Sequence, residues 1–203
     1  MVARPGERTV LVMWEYWCEH SPIWARSTDL DVGQLDAREL GLPEDLRDDL
    51  ADWNRRCEAA ADPDDLLDRP PTAAESRATG VEAFALAARV QRALGAAWTV
   101  WCLAGGGDGG MREPGAFRYL QRSSGPQVLL RDGGPVDWTP THVAPALDDF
   151  APALRREALV WRASADRLEP AEFRARALEL AGRLHGALEH GRVLWFGGGD
   201  VSA

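Results

Sequence analysis

The chain contains one sequence unit twice, and this repeat constrains its fold more than any other feature. Residues 81–102 align with residues 175–196 at a constant offset of 94. The identical pairs are Ala83/Ala177, Leu86/Leu180, Ala87/Ala181, Arg89/Arg183, Ala93/Ala187, Leu94/Leu188 and Trp101/Trp195. Upstream the offset is 108, with the identical pairs Leu46/Leu154, Arg47/Arg155 and Trp53/Trp161. Along the chain the offset falls from 108 to 94, so the first copy has about 14 additional residues between its two helical segments. Positions shared by both copies are those that the repeated architecture requires, whereas differing positions are free to serve one copy alone.

The first copy has the pattern strand, strand, helix, helix and strand. Residues 9–17 are rich in β-branched and aromatic side chains, which favour a strand, and residues 22–26 form a short return strand. An apolar stripe with helical spacing predicts the first helix. This stripe consists of Leu46, Leu50, Trp53 and Cys57. A second stripe that ends before Gly95 predicts the second helix, and residues 98–103 form the closing strand.

The second copy repeats this order, with predicted strands at 116–122, 127–131 and 192–196. We therefore predict an α+β fold of two tandem ββααβ units, each a small antiparallel sheet with a helix pair on one face. The two units are expected to join into one pseudo-twofold assembly. The predicted domains are a first unit at 1–104, a Gly-rich linker at 105–115 and a second unit at 116–203.

Composition is that of an ordinary globular protein with one larger domain or two small ones. The chain has 203 residues, of which 45% are hydrophobic, and it lacks a run of 18 apolar residues that would span a membrane. Residues 1–8 do not have the pattern of a signal peptide. The three cysteines are scattered and odd in number, as in proteins with reduced thiols. We predict a cytoplasmic protein.

The net charge of −9 is concentrated in the first copy. Residues 1–104 carry 11 Arg against 19 Asp and Glu, whereas residues 105–203 carry 12 Arg against 13 acidic residues. An acidic surface disfavours binding to the phosphate backbone of nucleic acids. It favours a partner with a basic surface, or serves solubility alone.

Two sequence patterns that resemble chemical sites are better explained by architecture. The glycine run at 105–110 is followed by a predicted strand, whereas a phosphate loop leads into a helix and carries Lys and Ser or Thr. Cys18 and His20, on either side of Glu19, could bind a metal ion or form a nucleophile pair, but further metal ligands and a second Cys/His cluster are not evident. We interpret this segment as a hairpin turn and predict no catalytic residue, no metal site and no cofactor.

The first-copy helix carries a stripe of aspartates opposite its apolar stripe. These residues, at i, i+3, i+4 and i+7, are Asp45, Asp48, Asp49 and Asp52. The equivalent residues of the second copy are Ala153, Arg156, Glu157 and Val160. The architecture therefore does not require the acidic stripe. The insertion that follows adds Asp62, Asp64 and Asp65. A solvated face is the commoner explanation for such a stripe, and a partner-binding surface is the alternative.

Aromatic residues of the first hairpin are a second candidate surface. Trp17 has no aromatic counterpart in the second copy, and Trp24 lies near it in the sequence. Aromatic side chains are enriched at binding hot spots. The alternative is that both residues cover the sheet face that packs against the other copy.

The first copy combines a strand that contains Met13-Trp14-Glu15-Tyr16, a helix with the pattern P-E-x-L-R-x-x-L-x-x-W and a later helix that leads into a strand. In these three features it resembles small uncharacterised proteins of high-GC actinobacteria. The resemblance, here to a tandem form, implies no established activity, and no characterised family is expected to match. Some small acidic cytosolic proteins of this kind act as immunity proteins, which neutralise toxins by binding them.

Two functional hypotheses follow. The first is a non-catalytic protein-binding module of the immunity or adaptor type, which engages a basic partner protein through the acidic face of the first unit. The second is a small-molecule-binding domain or enzyme with a pocket between the two units, lined by Trp and Arg. The second hypothesis requires a deep cleft with converging polar groups. We favour the first hypothesis and expect neither nucleic acid nor a membrane as the partner.

Overall fold

The computed structural model confirms a mixed α+β fold, with four helices among the residues that it describes. Along the chain the elements are β1 (Arg8–Val12), β2 (Ile23–Ala25), α1 (Glu44–Ala61), α2 (Ala73–Leu94), β3 (Trp98–Leu103), β4 (Gln127–Asp132), α3 (Pro152–Arg162), α4 (Pro170–Gly186) and β5 (Arg192–Gly197). The structure describes residues 8–14, 18, 21–25, 33–61, 72–103, 127–132, 151–187 and 192–197.

The described strands form one sheet in the order β2-β1-β3-β5-β4. β1 pairs with β2 in antiparallel register, with Val10 opposite Ala25, and it pairs with β3 in parallel register, with Val10 opposite Val100. The prediction that each unit contains an antiparallel sheet is therefore wrong for β1 and β3. The chain crosses from one to the other through α1 and α2, and a long helical crossover of this kind lets it return in the original direction.

The strands beside β3 and β5 do not repeat one arrangement. β5 is antiparallel to β3, with Cys102 opposite Phe196, and it is also antiparallel to β4, with Leu129 opposite Trp195. The predicted strand at 116–122 and the linker at 105–115 lie outside the described residues. The tandem ββααβ units and the pseudo-twofold assembly therefore remain predictions.

The two helix pairs, in contrast, share equivalent hydrogen bonds. The indole Nε1 of Trp53 on α1 donates to the carbonyl oxygen of Thr79 on α2 at 3.1 Å. In the other pair, Nε1 of Trp161 on α3 donates to the carbonyl oxygen of Phe173 on α4 at 3.0 Å. Trp53 and Trp161 are related by the offset of 108, and Thr79 and Phe173 by the offset of 94. The matching tryptophans thus have one structural role, which is to join the two helices of each pair.

The local sequence explains where the helices begin. Thr72 caps α2 with a capping box, in which its Oγ1 accepts from the backbone N–H of Glu75 and the Glu75 carboxylate accepts from the N–H of Thr72. α3 and α4 each begin with a proline, whose missing N–H is not needed in the first turn of a helix. α2 ends at Gly95, which has a φ of +76°, a conformation that favours glycine.

α2 and α4 form the central contact between the two halves of the chain. Small side chains buried along the two helices allow them to approach closely, namely Ala83, Ala87, Ala177 and Ala181. A Cβ atom added to Gly182 would lie only 3.0 Å from the Cβ of Phe84. Near the end of α2, Arg92 forms ion pairs with Glu172 at 2.8 Å and with Glu179 at 2.7 Å on α4. The two helices are therefore antiparallel and closely packed.

Gln91 of α2 is fully buried and ties this helix to β3. Its Nε2 donates to the carbonyl oxygens of Gly95 at 3.0 Å and Trp98 at 2.9 Å, and its Oε1 accepts from the N–H of Val100 at 2.9 Å. A buried backbone group without a partner is costly. This one amide therefore satisfies the backbone at the turn into β3 and at the start of the strand.

His185 occupies the position of α4 equivalent to Gln91, at the offset of 94. It is buried, and its ring lies 5.8 Å from the ring of Phe84. Burial, and secondarily the charge of Arg77, lowers the pKa of His185 to about 4 from an ordinary value of 6.5. The imidazole is therefore neutral in the folded protein at neutral pH.

We expect Gln91→Leu to lower the free energy of unfolding by about 2–4 kcal/mol, because it leaves several buried backbone groups without partners. Urea denaturation followed by circular dichroism measures this change. The control is Ala93→Met on the exposed side of the same turn, which should change stability by less than about 0.5 kcal/mol. Equal stabilities of the two variants would contradict the role assigned to Gln91.

We expect His185→Gln to reduce the acid sensitivity of the fold. The pKa of His185 is lower in the folded than in the unfolded chain, so its contribution to stability is complete above about pH 6.5 and is lost as the pH falls towards 4. The loss amounts to about 3 kcal/mol, and the variant should lack it. Urea denaturation of both proteins between pH 7 and pH 4 tests this, and parallel pH profiles would contradict it.

Candidate partner-binding surface

α1 has an apolar side towards the core and an acidic side towards solvent. The predicted apolar stripe is confirmed, since Leu46, Leu50, Trp53 and Cys57 are all buried. The four aspartates of the predicted acidic stripe are all exposed. The structure divides these aspartates into three groups by what neutralises them.

Asp45 and Asp49 face α2 and share one arginine. Arg89 lies 2.9 Å from Asp45 and 2.5 Å from Asp49. In the second helix pair Arg183 pairs with Glu157, at the positions that correspond to Arg89 and Asp49. These two aspartates therefore have a structural partner, which the sequence pattern of α1 alone did not indicate.

Asp52 forms ion pairs with cations of its own helix. Arg55 approaches it to 2.8 Å and Arg56 to 3.5 Å. Arg56 also binds Glu82 of α2 at 2.6 Å, and this hydrogen bond raises the pKa of the Arg56 guanidinium. Every group in this network is at least 39% exposed, so its contribution to stability is small.

Asp48 forms no ion pair with any residue that the structure describes. Glu44, which is also exposed, precedes it by four residues and therefore lies on the same side of the helix. The charge of α1 that the described part of the fold leaves unneutralised is thus centred on Glu44 and Asp48. Glu44 was not among the residues predicted for this surface, although its i, i+4 spacing to Asp48 was the available signal.

The other predicted surface residues are only partly placed. Asp62, Asp64, Asp65 and Trp17 lie outside the described residues. Trp24 is on β2, an edge strand of the described sheet, where it is half-buried and its Nε1 donates to the carbonyl oxygen of Met13 at 3.1 Å. Trp24 and the aspartates therefore belong to different elements, β2 and α1.

The three cysteines are either hydrogen-bonded within the fold or buried in it. Cys18 donates to the carbonyl oxygen of Ser21 at 2.9 Å and accepts from Nε2 of Gln34 at 2.6 Å, while Glu19 and His20 lie outside the described residues. Burial raises the pKa of Cys57 to about 12 and that of Cys102 well above its ordinary value. Both buried thiols are thus protonated at neutral pH and unsuited to nucleophilic attack.

Among the described residues, no three or more His, Cys, Asp or Glu side chains lie together so that they could hold a metal ion. Within the same part of the chain, no helix has the length and apolar character needed to cross a membrane.

Two arginines at the boundary between the helix pairs have partners within the fold. Arg92 is engaged by the two glutamates of α4. Arg174, which is buried, donates from Nη1 to the carbonyl oxygens of Ala96 at 2.9 Å and Trp98 at 2.8 Å. These arginines join α4 to the end of α2 and the turn that follows it, which is a structural role.

Part of the chain matches the model of a known protein family. No curated protein matches the chain. Residues 8–104, just under half of the chain, match the family model described as Serratia CdiI immunity protein-like. The expectation that no characterised family would match is therefore wrong. The matched segment contains β1, β2, α1, α2 and β3, and it fits an immunity-type role in which the chain binds a protein without catalysis.

Proposed function

We propose that this chain is an immunity-type protein that neutralises a toxin by binding it, and that the outer face of α1 is its contact surface. The observation that carries the proposal is the match of residues 8–104 to an immunity-protein family. The acidic helix lies entirely within that segment, whereas α3 and α4 lie beyond it.

The division of the chain supports different roles for its two halves. The first unit, residues 1–104, carries the binding surface in this proposal. The second unit, residues 116–203, supports it through α4, which packs along α2 and pairs Glu172 with Arg92. Arg92 and Arg176 lower the pKa of Glu172 to about 2, so the Glu172 carboxylate and its ion pair with Arg92 stay charged over the physiological pH range.

The charge of α1 supports a partner with a basic surface. Glu44 and Asp48 project a negative charge that the described part of the fold does not neutralise. Asp45, Asp49 and Asp52 pair with arginines at exposed positions, where an ion pair contributes about 0–1 kcal/mol. Replacing these arginines by cations of a toxin therefore costs little free energy. The proposal also includes Asp62, Asp64, Asp65 and Trp17, which the sequence predicts for this surface.

Long-range attraction between such surfaces acts mainly on the rate of association and weakens as salt is added. The proposal therefore makes the association rate constant, rather than protein stability, the property that depends on the charges of α1. The second hypothesis, a pocket between the units, lacks a supporting observation in the described residues.

We expect the chain to protect cells from one of the proteins that it captures. Proteins retained by the tagged full-length chain from its native organism are identified by mass spectrometry and expressed singly in a test host. One of them should arrest growth on its own, and co-expression of this chain should restore growth. If no captured protein is harmful, or if growth is not restored, the immunity role is wrong.

We expect Asp48→Arg to slow association with that captured toxin about tenfold at low salt, because it reverses the charge at the centre of the surface. Surface plasmon resonance at two salt concentrations measures the rate constant. The control is Glu39→Arg, which makes the same charge change at an exposed turn residue before α1. Equal effects of both variants would show that net charge, rather than this face of α1, is responsible.

A further inference from the structure

Asp45 and Asp49 share Arg89 of α2, but only one of the two bonds has a counterpart in the second helix pair. Arg89 donates from Nη1 to Asp49 at 2.5 Å and from Nη2 to Asp45 at 2.9 Å. In the second pair Arg183 binds Glu157, the residue that corresponds to Asp49. The bond between Arg89 and Asp49 therefore recurs wherever this helix pair occurs in the chain.

The bond to Asp45 belongs to the first helix pair alone. The corresponding residue of α3 is Ala153, which has no carboxylate. α3 nevertheless binds α4 through the indole of Trp161, as α1 binds α2 through the indole of Trp53. A helix pair of this kind thus forms without an acid at this position, and Asp45 is free to serve another role.

Exposure and charge also set Asp45 apart. Its side chain is 76% exposed, against 55% for Asp49, and Arg89 between them is 38% exposed. An ion pair so open to water adds little stability, because solvent screens both charges. Two carboxylates on one guanidinium also leave one negative charge uncompensated, so the group attracts a second cation.

We propose that Asp45 is the residue of α1 that passes from Arg89 to a cation of the partner, whereas Asp49 keeps Arg89 and holds α1 against α2. Asp45 precedes Asp48 by three residues, so the two are neighbours on the helix surface, and Glu44 lies beside Asp48. This inference rests on the proposed function and narrows it, because it assigns partner contact to Asp45 and a structural role to Asp49.

The chemistry of the exchange favours an arginine of the partner. Asp45 already binds a guanidinium in the fold, and the planar fork of arginine matches a carboxylate. An arginine of the partner therefore replaces Arg89 by the same kind of bond. Arg89 then retains Asp49 alone, in the way that Arg183 binds Glu157. The exchange thus leaves neither Asp45 nor Arg89 without a partner.

Titration of the full-length chain with an octa-arginine peptide at low salt, followed by NMR, tests the exchange. The peptide stands for the basic surface of the partner, so the result does not depend on the immunity role, which the growth experiment tests separately. We expect the side-chain carboxyl carbon signals of Asp45 and Asp48 to shift and that of Asp49 to stay. An Asp45 signal that does not move, or equal shifts of Asp45 and Asp49, would overturn the proposal.

Asp45→Asn should raise the dissociation constant of the peptide about fivefold, because it removes a direct ion pair. The control is Glu157→Gln, which removes the same charge from the second helix pair and should change the constant by less than about twofold. If Asp45 serves only its own helix, Asp45→Asn lowers the urea midpoint of unfolding and leaves the affinity for the peptide unchanged. That outcome, or equal effects of the two variants, contradicts the assignment.

Removal of Arg89 tests the exchange from the opposite side. Arg89→Gln frees Asp45 from its competitor, so the peptide should bind about threefold more tightly. Arg183→Gln, the identical change at the corresponding position of α4, should keep the affinity within about 1.5-fold of the wild type. Equal gains in both variants would show that net charge alone is responsible. All the substituted side chains are at least 38% exposed, so none of these changes disturbs the core.

Discussion

The close packing of α2 against α4 is the contact on which the rest of the structure depends. It brings together the second helix of each pair, and it is possible because alanine and glycine line the boundary, with Gly182 set against Phe84. Each of these helices also carries an outer helix, so that the described helices follow the order α1, α2, α4 and α3 across the layer. Substituting larger side chains along this boundary would separate the two halves of the layer.

This arrangement assigns different exposures to helices that are equivalent in sequence. α2 and α4 are enclosed, and their side chains satisfy buried backbone groups, as Gln91 and Arg174 do. α1 and α3 are each covered on one side and open to solvent on the other. The differences between the two copies therefore matter most on the outer faces, where α1 presents Glu44 and Asp48 and α3 presents Leu159 and Val160. One architecture thus carries two chemically distinct surfaces, and only the acidic one lies in the segment that matches the immunity family.

Some elements were predictable because their signals are local. Helical spacing of apolar residues predicted the buried side of α1, and the matching Trp53 and Trp161 indicated structural positions shared by both copies. Contacts between distant elements were not predictable in this way. Arg89 pairs with Asp49 and Asp45, which lie 40 and 44 residues earlier in the chain. This pairing depends on the angle at which the two helices pack. The same limitation explains why the four aspartates of α1 looked like one continuous surface in the sequence.

Sequence alone determined the α+β class, the apolar sides of the helices and the matching positions of Trp53 and Trp161, because these follow from the spacing of residues along the chain. Tertiary structure decided that β1 and β3 are parallel and that Arg89 neutralises two of the four aspartates, leaving Asp48 without a partner among the described residues. These properties depend on how separate elements are placed beside one another. Placement is set by close packing across the α2–α4 boundary and by side chains such as Gln91 that bridge a helix and a strand, which no local pattern of residues specifies.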